Sequence, residues 1–159
     1  YATSLCAVDA DGPLAALVVN LATGTRYAAV RGQGATCDGR PIRTSTVTDI
    51  GRAMLVLNGY SPEYLQWRQY RALGATALDL CSVADGRVDG TIDCADSALG
   101  PWDYLGAMLV LSEAGASIAD AHGRDLLVID HAARRTPVSA ATPELFEVLL
   151  AARQRQPAW

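Results

Sequence analysis

The first 48 residues form short apolar runs broken by glycine-containing turns. This pattern predicts three strands, at residues 1–8, 14–21 and 26–31. The turns between and after them fall at Asp11-Gly12, at residues 22–25 and at Asp38-Gly39, where glycine tolerates a positive φ. Loops this short join neighbouring strands that run in opposite directions. The segment therefore predicts an antiparallel sheet.

From residue 49 onward the pattern changes to strands that alternate with helices. Strands are predicted at residues 53–58, 88–94, 116–123 and 137–141, and helices at residues 62–73, 74–86, 101–115 and 142–154. Pro62 suits the first turn of its helix, and Thr142-Pro143 is a typical helix start. The alternation predicts an α/β fold in which helices pack on a sheet. We expect two subdomains, at residues 1–48 and 49–159.

The chain begins at Tyr1 rather than at Met, within a predicted strand. No earlier segment is present to pair with this strand or to cover it. We therefore expect that the first sheet is incomplete and that these 159 residues are the later part of a longer protein.

Composition excludes several classes of function. The net charge of −4 gives no basic surface of the kind that binds nucleic acid, and no apolar run has the roughly 18 residues of a membrane span. The four cysteines lack paired metal-ligand spacing and are expected to be buried thiols in a reducing cytoplasm, although a disulfide framework in a secreted protein is the alternative. No signal peptide is visible, so we expect a cytoplasmic protein without a membrane or nucleic-acid partner.

Two helix starts contain candidate chemistry. Asp103 follows Pro101-Trp102 in the first turn of a long helix, where a carboxylate stabilises the free N–H groups but can also face a cation. Trp102 itself is expected to be a packing anchor. Gly74 opens another helix with small residues, which allows either close packing or the binding of a phosphate or hydroxyl by backbone N–H groups.

An acidic segment lies between these two helices. Asp89, Asp93 and Asp96 fall in a segment of nine residues, 88–96, that contains a predicted strand and the loop after it. Asp93 follows Ile92 in the strand, so the side chains of these two residues leave opposite faces of the sheet. Clustered carboxylates are ligands for Mg²⁺ or Ca²⁺, but a solvated acidic loop has the same composition. Glu113 is expected on a solvated helix face, and the glycines at 32 and 34 in turns rather than around a phosphate.

Three ordered motifs resemble the inositol monophosphatase family along nearly the whole chain. "GQGATCDG" is similar to a turn of the family, with Asp38 where Asn is usual, and "GATALD" followed by "VADGRVDG" is similar to its small-residue helix. "PWDYLGAMLVLSEAGA" resembles its W-D signature and the following helix, with Ala116 in place of a final Gly. The resemblance implies a layered αβαβα fold and a homodimer.

The same resemblance implies Mg²⁺-dependent hydrolysis of a small phosphate monoester of a polyol or sugar, such as inositol monophosphate. Asp103 is then a metal ligand, Gly74, Ala75 and Thr76 contact the substrate, and Asp93 contacts a substrate hydroxyl, with Asp96 as the competing acid. The substrate could also be a nucleotide 3′-phosphate, fructose 1,6-bisphosphate or histidinol phosphate.

The family's other metal ligands come from G-E-E and D-P-(I/L)-D-G-T segments, which do not occur in this sequence. We therefore expect that they precede Tyr1, that no catalytic residue lies within the span, and that the span alone is inactive. A non-catalytic interaction or assembly module with the same fold is the alternative from a different class.

Overall fold

The computed structural model describes residues 1–61 and 63–156. The first sheet has five antiparallel strands in the order of the chain, β1-β2-β3-β4-β5. Their bounds are β1 Ala2–Asp9, β2 Gly12–Asn20, β3 Arg26–Val30, β4 Ala35–Cys37 and β5 Arg40–Pro41. This arrangement confirms the predicted antiparallel sheet. The turns hold the glycines at positive φ, which is +110° at Gly12 and +77° at Gly39.

The second sheet is mixed. It contains β6 Met54–Asn58, β7 Gln69–Arg71, β8 Gly90–Asp93, β9 Ser117–Asp120 and β10 Pro137–Ala140, in the order β7-β6-β8-β10-β9. Strand β6 runs parallel to β7 and β8, whereas β10 is antiparallel to β8 and β9. The carboxyl ends of the adjacent parallel strands β6 and β8 therefore lie at one edge of the sheet, where Asn58 pairs with Asp93.

Three α-helices complete the fold in the described part of the chain: α1 Thr76–Ala84, α2 Pro101–Glu113 and α3 Pro143–Arg155. Helices α1 and α2 pack on each other and contact both sheets, whereas α3 packs on β10, β8 and β9 of the second sheet. A cluster of buried side chains joins Val18 and Tyr27 of the first sheet to Leu80 of α1 and Val110 of α2. The layers follow the order sheet, helices, sheet, helix, as the α/β prediction requires.

A close approach of backbone atoms fixes α2 against β1. A Cβ atom at Gly106 would lie 2.6 Å from Ser4 Oγ and 2.8 Å from the carbonyl oxygen of Leu5. Glycine is therefore required at this point of the helix for α2 to lie so near the first strand. The contact connects the subdomains predicted at residues 1–48 and 49–159, whose boundary stays a prediction.

The helix predicted at residues 62–73 is wrong. Pro62 lies outside the described residues, and residues 63–73 contain no helix. Gln66 has a positive φ of 64°, and Gln69–Arg71 instead pairs with Met54–Val56 as strand β7. Trp67 is buried against the second core cluster, and its ring contacts Tyr64 and Tyr70 edge to face. Strand pairing and aromatic packing override the local helical pattern.

Candidate functional site

Two helix N-termini open on one cavity of about 300 Å³. Its walls come from the start of β1, the start of α1 and the start of α2, and they consist of Tyr1, Ala2, Ser4, Gly74, Ala75, Thr76, Ala77, Trp102 and Asp103. The structure therefore brings together the metal-ligand candidate and the substrate-contacting segment predicted from the sequence. Partial positive charge at both helix starts makes the cavity suited to an anion.

Asp103 uses one carboxylate oxygen for the helix and leaves the other free. Its Oδ2 atom accepts a hydrogen bond from the backbone N–H of Gly100 at 2.9 Å, and this caps the start of α2. Among the described residues, no donor reaches Oδ1. The half-buried carboxylate can therefore stabilise its own helix and offer one oxygen to a cation in the cavity.

Among the described residues, no side chain caps the start of α1. Gly74 takes a positive φ of 78°, and the N-cap position is filled by Ala75, which has no side-chain acceptor. The helix therefore begins at Thr76, two residues later than its predicted start. The Leu78 N–H donates to the Ala75 carbonyl oxygen at 2.8 Å, whereas the N–H groups of Thr76 and Ala77 have no partner among the described residues and can donate to an oxygen ligand in the cavity.

Asp93 lies at the end of β8, only 3% exposed. Its Oδ1 atom accepts hydrogen bonds from Asn58 Nδ2 at 3.1 Å and from the backbone N–H of Ala95 at 3.2 Å, whereas Oδ2 has no partner within residues 1–61 and 63–156. Burial raises the pKa of Asp93 to about 7, and the negative charge of Asp103 adds to the increase. The two carboxylates are thus close enough to interact electrostatically.

The other two carboxylates of the acidic segment are engaged elsewhere. Asp96 contacts His122 Nε2 and accepts a hydrogen bond from Arg153 Nη2 at 3.4 Å. The His122 contact lowers the pKa of the Asp96 carboxyl. Asp89 accepts hydrogen bonds through both oxygens, from Ser45 Oγ at 2.5 Å and from the backbone N–H of Met54 at 2.7 Å. Both residues have structural partners of their own.

Of the two competing acids, Asp93 is the one that shares a cavity with the substrate-contacting candidates. Together with Thr76 it lines a narrow void between β8 and α1. Asp96 lines neither this void nor the cavity at Asp103. The geometry favours Asp93 over Asp96 as the acid near the substrate, and the assignment of either role stays a prediction.

Comparison with known proteins identifies the family. The model of the inositol monophosphatase family matches residues 1–158. The chain belongs to this family. The resemblance found in the three sequence motifs is thereby confirmed, together with the layered α/β fold.

Two relatives of the chain are named as different kinds of protein, a Nus factor and a phosphatase. Nus factor SuhB of Escherichia coli strain K12 is 33% identical over 111 residues, which cover 61% of this chain and 40% of that protein. Fructose-1,6-bisphosphatase of Pyrococcus furiosus is 29% identical over 146 residues, which cover 91% of this chain and 57% of that protein. The chain spans about half the length of the curated relatives that it matches.

Solved structures of the family show the same fold. Mycobacterium tuberculosis SuhB has a TM-score of 0.79 at 29% identity, with 98% of this chain and 64% of that chain covered. A Pyrococcus horikoshii protein with similarities to inositol-1 monophosphatase has a TM-score of 0.83 at 23% identity, with 95% of this chain and 61% of that chain covered.

The candidate site contains one metal-ligand candidate rather than a complete set. Within residues 1–61 and 63–156, no group of three or more His, Cys, Asp or Glu side chains is placed to hold a metal ion. The free Oδ1 of Asp103 fits one position in the coordination sphere of a hard cation, since Mg²⁺ prefers carboxylate oxygens.

Sequence reasoning missed the role of Glu113. Its two carboxylate oxygens accept hydrogen bonds from the backbone N–H groups of Gly32 at 2.7 Å and of Gly34 at 2.8 Å. Glu113 is partly exposed, as expected for a solvated helix face, but its carboxylate also holds the glycine-rich turn, which the sequence did not predict. The partners are 81 and 79 residues apart, and no signal in the sequence connects them.

Trp102 also differs from its predicted role as a packing anchor. It is 46% exposed, and its ring stacks on that of His131 with 4.5 Å between centroids. The Arg134 guanidinium lies 5.1 Å from the same ring, within the range of a cation–π interaction. Trp102 thus forms one wall of the cavity, and its ring packs on the loop that contains His131.

Proposed function

We propose that the intact protein containing this chain is a Mg²⁺-dependent phosphatase that hydrolyses a small phosphate monoester of a polyol or sugar, such as inositol monophosphate. The observation that supports this proposal best is the single cavity that Asp103 shares with Gly74, Ala75 and Thr76. Membership of the inositol monophosphatase family supports the same reaction class.

In this proposal Asp103 is a metal ligand through Oδ1, while Oδ2 keeps the carboxylate fixed on the Gly100 N–H group. A bound Mg²⁺ ion would polarise a phosphoryl oxygen and lower the pKa of a coordinated water. A single carboxylate cannot hold Mg²⁺ in the geometry that this chemistry needs. We therefore propose that the 159-residue chain does not turn over substrate by itself, and that no catalytic base lies within it.

The substrate would be oriented by the start of α1 and by Asp93. The uncapped N–H groups near Ala75 and Thr76 can donate to phosphate or hydroxyl oxygens, and the Thr76 hydroxyl adds a further donor. The Oδ2 atom of Asp93, which has no partner in the described part of the chain, can accept a hydrogen bond from a substrate hydroxyl. Such contacts position the ester relative to Asp103, and positioning accounts for much of the catalysis of phosphoryl transfer.

The relative named fructose-1,6-bisphosphatase supports fructose 1,6-bisphosphate as an alternative substrate. A nucleotide 3′-phosphate and histidinol phosphate are further alternatives within the superfamily. Phosphate release from inositol monophosphate, fructose 1,6-bisphosphate, a nucleotide 3′-phosphate and histidinol phosphate is measured with the intact protein and Mg²⁺. The kcat/KM values distinguish these substrates.

A second candidate function is a non-catalytic interaction or assembly module. The relatives named Nus factor SuhB support it, because that name describes a factor rather than an enzyme. The gene sequence before Tyr1 discriminates between the two candidates. Segments with the G-E-E and D-P-x-D-G-T ligands favour the phosphatase, and their absence from the gene favours the module.

We also propose a cytoplasmic homodimer. All four cysteines are free thiols, and Cys81 and Cys94 are buried, which suits a reducing compartment. No helix in the described part of the chain is long and apolar enough to cross a membrane. The homodimer comes from the family resemblance, and sedimentation of the intact protein tests it.

The decisive experiment compares the intact protein with the 159-residue chain in phosphate release from inositol monophosphate, with and without Mg²⁺. We expect Mg²⁺-dependent turnover by the intact protein only. Robust turnover by the chain alone would contradict the proposed division of metal ligands, and no turnover of any phosphate ester by the intact protein would favour the interaction module.

A further inference from the structure

Arg153 is a buried arginine on α3 that the proposed function does not use. It is only 1% exposed, although it lies in the last turn of its helix beside the exposed residues Gln154 and Arg155. Its Nε–H group donates to the backbone carbonyl oxygen of Asp93 at 2.7 Å, in the interior of the protein. Arginine is seldom buried so deeply unless its donors are paired. Here the pairing is with the residue that we expect to contact the substrate.

Within the described residues, strand β10 offers no backbone donor to the carbonyl oxygen of Asp93. Strands β8 and β10 pair antiparallel, with Ile92 opposite Val138. The same register continued by one residue places Pro137 opposite Asp93, and proline has no N–H group to donate to a ladder. The guanidinium of Arg153 therefore takes the place of the missing backbone donor at the end of β8.

A second contact fixes Arg153 itself. Its Nη2 atom donates to Asp96 Oδ1 at 3.4 Å, and the same oxygen contacts His122 Nε2. Burial raises the pKa of Asp93, whereas the positive charge of Arg153 opposes this increase. The guanidinium thus connects the end of β8 to the loop that follows it, and it favours the ionised form of the Asp93 carboxylate.

The place of the Asp93 carboxylate depends on the backbone that carries it. Oδ1 accepts hydrogen bonds from Asn58 Nδ2 at 3.1 Å and from the Ala95 N–H at 3.2 Å, which are long distances for a carboxylate acceptor. The hydrogen bond from Arg153 to the backbone is shorter, at 2.7 Å. The Asp93 side chain lines the narrow void together with Thr76 of α1. A displaced backbone would therefore move the carboxylate relative to the start of α1.

We propose that Arg153 is a positioning residue for Asp93, because it holds the Asp93 backbone where the carboxylate can meet a substrate hydroxyl beside the start of α1. This inference rests on the proposed function, in which Asp93 orients the substrate. Arg153 lines neither the narrow void nor the cavity at Asp103, so it acts through Asp93 rather than on the ester. Its loss should weaken substrate binding while the chemistry at Asp103 continues.

Steady-state kinetics of the intact protein with inositol monophosphate and Mg²⁺ test the proposal. Arg153→Met keeps an unbranched side chain without a donor. We expect it to raise KM roughly tenfold, as for one lost hydrogen bond to a charged group, while kcat per folded molecule changes less than about twofold. A purely structural role would instead lower the folded fraction and leave KM unchanged.

Two further variants serve as controls for Arg153→Met. Arg155→Met makes the same change in net charge at an exposed position of the same helix, and it should keep the wild-type KM. Arg153→Lys retains the charge and a donor, so its KM should lie between those of the wild type and of Arg153→Met.

A double-mutant cycle shows whether Arg153 acts through Asp93. Asp93→Ala removes the carboxylate but keeps the backbone carbonyl that Arg153 binds. In this background Arg153→Met should change KM less than about twofold, since no carboxylate is left to position. Arg153→Lys carries the same cycle if Arg153→Met does not fold. An effect on KM that persists in full without the Asp93 carboxylate would overturn the proposal.

Hydrogen exchange at the Ala95 amide gives a readout that needs no substrate. This N–H group donates to Asp93 Oδ1, so it should exchange faster in Arg153→Met while the amides of the first sheet keep their protection. If the wild-type protein hydrolyses no phosphate ester, the proposed function fails, whatever the Ala95 amide shows. If the protein is active but both KM and Ala95 exchange are unchanged in Arg153→Met, this inference fails and the proposed function stands.

Discussion

Asp103 accepts a hydrogen bond through Oδ2 from the backbone N–H of Gly100, at a distance of 2.9 Å. The same carboxylate lines the cavity that contains the start of α1. The capping role and the proposed metal-ligand role are therefore compatible, because they use different oxygen atoms. This division allows the two roles to be separated by substitution.

Asp103→Asn should separate capping from metal binding in the intact protein. The amide oxygen of the new side chain can still accept the Gly100 hydrogen bond, so we expect the free energy of unfolding to change by less than about 1 kcal/mol. The loss of the anionic oxygen should lower Mg²⁺-dependent kcat by orders of magnitude. Urea unfolding and phosphate release, measured on the same preparation, check both parts.

Asp103→Ala is the matched control, since it removes both functions. It should lose activity as Asp103→Asn does and in addition destabilise the protein by about 1 kcal/mol, the usual net contribution of one hydrogen bond, because the Gly100 N–H loses its acceptor. If Asp103→Asn keeps wild-type activity and Mg²⁺ dependence, then Asp103 is only a capping residue.

Glu113→Gln should loosen the turn that contains Gly32 and Gly34. Each carboxylate oxygen of Glu113 accepts one backbone N–H group, and the amide of a glutamine can accept at only one of these positions. We expect the lost hydrogen bond to lower the free energy of unfolding by about 1–2 kcal/mol. The partial exposure of Glu113 keeps this loss below that of a fully buried carboxylate. Faster hydrogen exchange at the Gly32 and Gly34 amides should accompany it.

The neighbouring substitution Ser112→Ala provides the control for Glu113→Gln. Ser112 is exposed on the same helix, so its replacement should leave both amides protected. Unchanged exchange in Glu113→Gln would show that the turn is held by its own backbone rather than by the carboxylate.

Local signals in the sequence were sufficient for most of the fold. The hairpin turn at Gly12 and the cap at Thr142, whose Oγ1 accepts from the Leu145 N–H at 3.3 Å, depend on residues a few positions apart. The helix predicted at residues 62–73 failed because the pairing of Gln69–Arg71 with Met54–Val56 is not visible in a local window. Periodicity alone cannot detect a short edge strand.

The candidate site was predictable to a similar extent. The family motifs indicated Asp103 and Gly74–Thr76, and the structure brings them to one cavity. The contact between Glu113 and Gly34 depends on packing across 79 residues, and the burial of Asp79 depends on the layers on either side of α1. A carboxylate in a helical pattern gives no indication by itself that it will be buried.

Gly106→Ala should weaken the packing of α2 on β1. The added methyl group would meet Ser4 Oγ at 2.6 Å and the Leu5 carbonyl oxygen at 2.8 Å, and the backbone oxygen cannot move without shifting the strand. We expect a net destabilisation of about 1–3 kcal/mol, despite the better helix propensity of alanine. Urea unfolding checks this prediction, and a variant as stable as wild type would show that β1 adjusts without strain.

Asp79→Asn should change how the stability of the chain depends on pH. Burial raises the folded-state pKa of Asp79 from 3.8 to about 6, so the folded state holds its proton more tightly than the unfolded state. The corresponding stability is fully present below the unfolded pKa of 3.8 and is lost as the pH rises through about 6. The asparagine side chain of the variant has no proton to lose, so its Tm relative to wild type should increase between about pH 4 and pH 7.

This comparison is made at constant ionic strength, so that only the pH differs along each Tm profile. The other charged or titratable groups near Asp79 include Asp93 across the void, Cys81 on the same helix, and Tyr1, Tyr27 and Arg87, which line the neighbouring cavity with it. All of them are retained in the variant, so a difference between the two Tm profiles reports on Asp79. Parallel profiles over the whole range would mean that Asp79 ionises as it does in the unfolded chain, and that its environment is more polar than its burial indicates.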